Sequence, residues 1–104
     1  MIPSIGRIVH YTLNESNAKE INRRRADARA TDHAVLKSGA VVHSGNGVTA
    51  ADVYPLLITK LWTDNPDHQS VVNGQVFLDG NDTLWVSSSP QGEGEGKWQA
   101  PIHV

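Results

Sequence analysis

The sequence contains no cysteine, which excludes disulfides, thiolate metal sites and cysteine nucleophiles and points to a reducing cytosol. It also has no long apolar run. No window approaches the roughly 20 apolar residues that span a bilayer, and residues 1–11 lack a basic segment followed by an apolar one. No membrane partner is expected, and the chain should be soluble and unprocessed. Signatures of catalysis are missing as well: Ser44, Ser70 and the serine run 87–89 lie in no nucleophile elbow, and the glycine-rich segment 92–96 lacks the Lys and Ser/Thr of a phosphate loop. Glu93 and Glu95 sit in that same segment, which would hold an acid–base pair poorly. His10, His33, His43, His68 and His103 show no HxH or HExxH spacing. No enzyme activity, metal or cofactor is expected.

A length of 104 residues suits one domain, spanning residues 1–104, with a single modest core. The formal net charge of −2 hides an asymmetry. Residues 1–37 carry seven Lys or Arg against four acids, and residues 38–104 carry two against seven. Lys19, Arg23, Arg24, Arg25 and Arg29 cluster in one short segment and create a local positive field in a mildly acidic protein. Duplex DNA is not an expected partner. A compact anionic ligand, an acidic partner or the acidic half of a second copy all remain open.

Residues 5–13, IGRIVHYTL, read as a first strand rich in β-branched residues. Asn14 follows as an N-cap with Glu15 in the first turn, and Leu13 is placed to pack on Ala18 as a hydrophobic staple, so a helix is predicted over 15–29. Its apolar stripe is thin (Ala18, Ile21, Ala28), and Arg25 lies on it. Residues 31–38 read as a connection, 40–43 as a short strand, and Gly45-Asn46-Gly47 as a tight turn. A longer strand is expected over 53–62, its Pro55 arguing for an edge position or a bulge. Residues 63–70 form a polar loop.

Residues 72–85 then read as a hairpin with Asp79, Asn81 and Asp82 at its tip. A three-residue loop over 80–82 would pair Leu78 with Leu84 and Val76 with Val86 on one face, and Phe77 with Trp85 on the other. The aromatic pair would need cover, which the helix could supply. The expected fold is α+β: a small curled antiparallel sheet or partly open β-barrel with one N-terminal helix packed on it.

The candidate binding residues are Arg24, Arg25, His43, Asn46, Asn81, Trp85 and Trp98. Residues 22–25 span about 300° of a helix, so the three guanidinium groups cannot face one way. One reading is a solvated, internally paired helix face. The other is that two of them fork onto phosphate or carboxylate oxygens. The second is strengthened by Arg25 on the apolar stripe, where a buried guanidinium requires an anionic partner. The 43–47 turn offers an imidazole, a hydroxyl and backbone N–H groups, either as an anion nest or as an ordinary turn. Trp85 and Trp98, beside polar loops, could stack on a planar ligand or pack in the core.

The segments IGRIVHYTL, INRRRADA, YPLLITKLW, VNGQVFLDGNDTLWV and GEGEGKW together resemble a family of short proteins encoded by tailed bacteriophages and prophages, over nearly the whole chain. The resemblance implies action in the cytoplasm of an infected bacterial host. It leaves two principal roles. The expected one is an accessory protein that binds and sequesters a small anionic, nucleotide-like ligand, such as a cyclic nucleotide of bacterial immune signalling, because the candidate residues are of the kind that cradle a phosphorylated nucleobase. The other is a virion or assembly protein acting through self-association, for which the basic and acidic halves suit contacts between copies. A single-stranded nucleic-acid binding module is a third reading, which an acidic sheet would disfavour.

Overall fold

A computed structural model describes residues 2–30, 42–62 and 70–101. The connection at 31–38, most of the 63–70 loop, residues 40 and 41 of the short strand, and His33, His68 and His103 lie outside the described residues. Val42 and His43, which complete that strand, are not in a strand.

Five strands form one antiparallel sheet in the order β4-β3-β2-β1-β5, curled as a half-barrel. They are β1 (Ile8–Thr12), β2 (Val53–Leu61), β3 (Val71–Phe77), β4 (Thr83–Pro90) and β5 (Trp98–Gln99), with helix α1 (Glu15–Ala30) between β1 and β2. The fold is the expected one, a curled sheet with the N-terminal helix packed on it. The helix starts where its cap requires: Asn17 N–H donates to Asn14 Oδ1 (2.8 Å) and Asn14 N–H to Asn17 Oδ1 (3.0 Å). This is a reciprocal box with Asn in place of the usual Glu. Ala18, Ile21 and Arg25 are its buried residues, so the arginine does lie on the apolar stripe.

Between the helix and the sheet sits one core, in which Leu13 and Ile21 meet Val9, Leu56, Ile58, Val72, Val76, Leu84, Val86 and Trp98. Strand alternation supplies it, since residues two apart share a face.

The hairpin differs from the sequence reading in register. Val76 pairs with Leu84, Phe77 with Thr83, Gln75 with Trp85 and Gly74 with Val86. The pairing is offset by two residues from the expected one, and the connection comprises residues 78–82. Its residues bond elsewhere: Gly80 bridges Gly45, and Asn81 N–H donates to the Ser44 carbonyl (3.0 Å). An offset of two preserves the faces. Val76, Leu78, Leu84 and Val86 are all buried as expected, whereas Phe77 and Trp85 stay exposed on the opposite face. The helix covers the aliphatic face, so the expected cover over the aromatic pair is corrected.

Pro55 also belongs to a central strand and not to an edge strand, since β2 lies between β1 and β3. Proline is tolerated because it pairs with His10 of β1, while the ladder to β3 begins only at Leu56. β2 does carry an irregularity, further along, between Ile58 and Lys60.

Candidate functional site

Three segments meet at one end of the sheet: helix α1, residues 42–47 and the hairpin tip 78–83. The Asp82 carboxylate lies at their junction with its side chain 2% exposed. Arg25, whose side chain is 1% exposed, grips it in a fork, Nη2 to Oδ1 at 2.8 Å and Nη1 to Oδ2 at 3.1 Å. The same guanidinium donates from Nη1 to the His43 carbonyl (2.8 Å) and from Nε to the Asn46 carbonyl (3.1 Å). Arg24 Nη1 reaches Asp82 Oδ2 (2.9 Å) and the Thr83 carbonyl (3.0 Å), and its Nε reaches Glu20 Oε1 (3.4 Å). Arg23 stays in solvent, forked onto Glu20.

The 42–47 segment binds the tip through a second set of bonds. Ser44 N–H donates to Asn81 Oδ1 (3.0 Å), Asn81 Nδ2 to the Val42 carbonyl (2.8 Å), and Asn46 N–H to the Asp79 carbonyl (2.9 Å). Asn46 Nδ2 donates to Asp79 Oδ2 (2.7 Å). The Ser44 and Asn46 amides therefore already serve the hairpin, and the tight turn expected at 45–47 is corrected: the segment forms no turn, and neither Gly45 nor Gly47 takes a positive φ. Glycine is required where the segments cross. A Cβ on Gly45 would stand 2.5 Å from the Asp79 carbonyl oxygen and 2.5 Å from Gly80 Cα.

Five of the seven candidate residues thus converge here: Arg24, Arg25, His43, Asn46 and Asn81. The polar groups of Arg25, Asn46 and Asn81 are bonded to the chain itself, and no buried side-chain nitrogen or oxygen lacks a partner among the described residues. His43 is exposed, with Nδ1 3.7 Å from Asp82 Oδ2. The remaining two lie apart from the junction and from each other. Trp85 is on the outer sheet face, and Trp98 is fully buried with Nε1 donating to the Ser70 carbonyl (3.2 Å).

Asp82 is the residue whose role sequence reasoning missed, since its place in a turn explains an Asp without any partner. The available signal was Arg25 itself, because a guanidinium on an apolar stripe demands an acid. Asn22 was missed too: it exchanges two 2.8 Å bonds with the backbone of Val48 and so joins the helix to the crossing segment.

Burial pushes the Asp82 carboxyl upward, but hydrogen bonds from Arg25 and Arg24, with their charge, outweigh it and hold the group below the ordinary carboxylate value. A folded-state value below the unfolded one favours folding most when the group is ionised in both states. The contribution is therefore complete above the unfolded pKa near 3.8 and is lost as pH falls through the folded value. Thermal unfolding followed by circular dichroism should show the gap in melting temperature between the parent and Asp82→Asn narrowing below about pH 4. A gap of constant width down to the acid limit would contradict the assignment.

Two shallow grooves flank the junction. One, of about 360 Å³, is lined by Arg23, Arg24 and His43 together with Glu20 and Asp27. The other, of about 490 Å³, lies over Phe77, Asn81 and Thr83. Neither includes a tryptophan. No helix among the described residues is long and apolar enough to cross a membrane. No protein-family model, curated protein or solved structure matches the chain.

Proposed function

We propose that the protein works by self-association, as a structural or assembly protein of a tailed phage acting within the infected bacterial cell. The observation that carries this reading is the outer face of the sheet, where Trp85 is 61% exposed, Ile8 53%, Val53 48% and Phe77 43%. The ladder pairings set Ile8, Leu57, Gln75 and Trp85 in one row across four strands. Lys60 is the one charged residue in β1, β2, β3 and β4. Four exposed apolar side chains gathered on one sheet face of a small domain mark a protein contact. The buried arginine supports the same reading, because Arg25 is fully engaged by Asp82 and two carbonyls and has no fork to offer a ligand.

One observation favours a second reading, sequestration of a small anionic, nucleotide-like ligand: Arg23, Arg24 and His43 share a groove. Glu20 and Asp27 line it as well and offset much of that charge. Native mass spectrometry with a panel of cyclic and linear nucleotides separates the two. Assembly predicts multiples of the chain mass with no nucleotide retained; a nucleotide retained by one copy or by any assembly would favour sequestration, and a single copy without nucleotide would contradict assembly.

A further inference from the structure

We infer that Asn46 is a site of spontaneous covalent modification, at which the Gly47 main-chain nitrogen and water convert the side-chain amide to a carboxylate, and that this one-way change unlocks the hairpin tip from residues 42–47. Three pairs in the described residues set Asn or Asp before glycine, the residue that hinders approach to its own nitrogen least: Asn46-Gly47, Asn73-Gly74 and Asp79-Gly80. Only the first is open to the reaction. Asn46 and Gly47 are exposed and lie in no helix or strand, and the Gly47 N–H donates no hydrogen bond among the described residues. A Cβ on Gly47 would meet only Asn22 Oδ1, at 3.1 Å. Asn73, by contrast, is 8% exposed within β3, and its Oδ1 accepts from Trp62 Nε1 (2.8 Å) and from the Ser88 N–H (2.7 Å). A Cβ on Gly74 would stand 2.5 Å from the Leu57 carbonyl oxygen, so the ladder leaves no room for ring closure there. At Asp79-Gly80 the nitrogen is engaged, the Gly80 N–H donating to the Leu78 carbonyl (2.9 Å), and an ionised carboxylate is a poor electrophile.

In the reaction the Gly47 nitrogen gives its proton to solvent and bonds to Asn46 Cγ, while the Cγ–Nδ2 bond breaks and Nδ2 takes up a proton and leaves as ammonia. A five-membered imide remains. Water opens it at either carbonyl, giving Asp on one side and, on the other, isoaspartate with the main chain one carbon longer. One water enters, one ammonia departs, and nothing is oxidised or reduced. Both products lose the Nδ2 donor that now bonds Asp79 Oδ2 at 2.7 Å, and both add a negative charge beside that carboxylate. The Asn46 main chain serves the junction as well, its N–H donating to the Asp79 carbonyl and its carbonyl accepting from Arg25 Nε. Isoaspartate lengthens the chain at this point and displaces those bonds too. Modification therefore loosens the crossing of the two segments from either product.

The test holds the intact chain at mildly alkaline pH, below its melting temperature, and follows each Asn-Gly peptide by mass spectrometry, with isoaspartate counted by an isoaspartyl methyltransferase. Asn46 should convert more than about tenfold faster than Asn73 in the folded chain, and the two rates should converge in urea, where neither is protected. Gly47→Ala should suppress conversion at Asn46. Asn46→Asp, which carries one of the two products, should melt a few degrees below the parent. Asn46→Asp combined with Asp79→Asn restores an amide facing a carboxylate with the places exchanged, and should recover most of that loss. Conversion at Asn73 as fast as at Asn46, or no conversion at Asn46 in the folded chain over the time in which the urea-unfolded chain converts, overturns the site. An Asn46→Asp variant that melts with the parent overturns the unlocking.

Discussion

Asp82→Ala is expected to destabilise the protein by about 3–5 kcal/mol, because it leaves the buried Arg25 guanidinium without its anion and deprives Arg24 of the same partner. For a domain of this size that corresponds to a fall in melting temperature on the order of 12 °C or more. The loss reflects an uncompensated buried charge and not the net worth of the ion pair, which a well-packed apolar pair can match. The double variant Arg25→Met with Asp82→Leu should therefore be more stable than Asp82→Ala alone. Urea unfolding of the parent, the single variant and the double variant measures both statements. An Asp82→Ala variant that unfolds with the parent would mean that the guanidinium groups are free for another anion, which is what ligand sequestration needs.

Trp98→Ala should be equally costly, about 3–5 kcal/mol, since the indole is completely buried and its removal leaves a large cavity in the core. A small domain with a total stability of about 5–15 kcal/mol loses a large part of it in this way. Trp85→Ala is the contrast. Its ring is mostly in solvent, so the isolated chain should change by no more than about 0.5 kcal/mol. Thermal melts of the two alanine variants at low protein concentration decide the assignment of core and surface tryptophan. A reversed order would overturn the described faces of the sheet.

The two tryptophans show why some of the fold could be read from the chain and some could not. Alternation in residues 72–86 assigns Val76, Leu78, Leu84 and Val86 to one face whatever the turn, because a two-residue offset leaves every side chain on its own face. The register itself depends on residues 44–46, which capture the tip from more than 30 positions away, and no local pattern encodes that. Asn14 announces the helix start through purely local bonds, so the helix was legible to within a residue. Trp98 sits in a strand of two residues, too short to show a period, and its burial follows from pairing with Tyr11 of β1. Pro55 signals a missing ladder bond, which a central strand supplies wherever its neighbour stops short.

The candidate site was legible in part for a related reason. Arg25 on an apolar stripe states that a buried cation exists, but its acid lies 57 residues further along the chain. Helical periodicity places Arg25 toward the sheet, and only the folded hairpin identifies Asp82 as the group it meets. Trp85 followed the opposite course: the alternation put it opposite the aliphatic face, and with the helix committed to that face its ring remains in solvent.

Sedimentation velocity of the unmodified chain, across a dilution series reaching tens of micromolar, tests most directly whether this protein works by association with itself. Self-association predicts a sedimentation coefficient that rises with concentration from that of a single chain to that of a dimer or larger assembly, in the absence of any nucleotide. A single monomeric boundary that does not move across the whole series would contradict it.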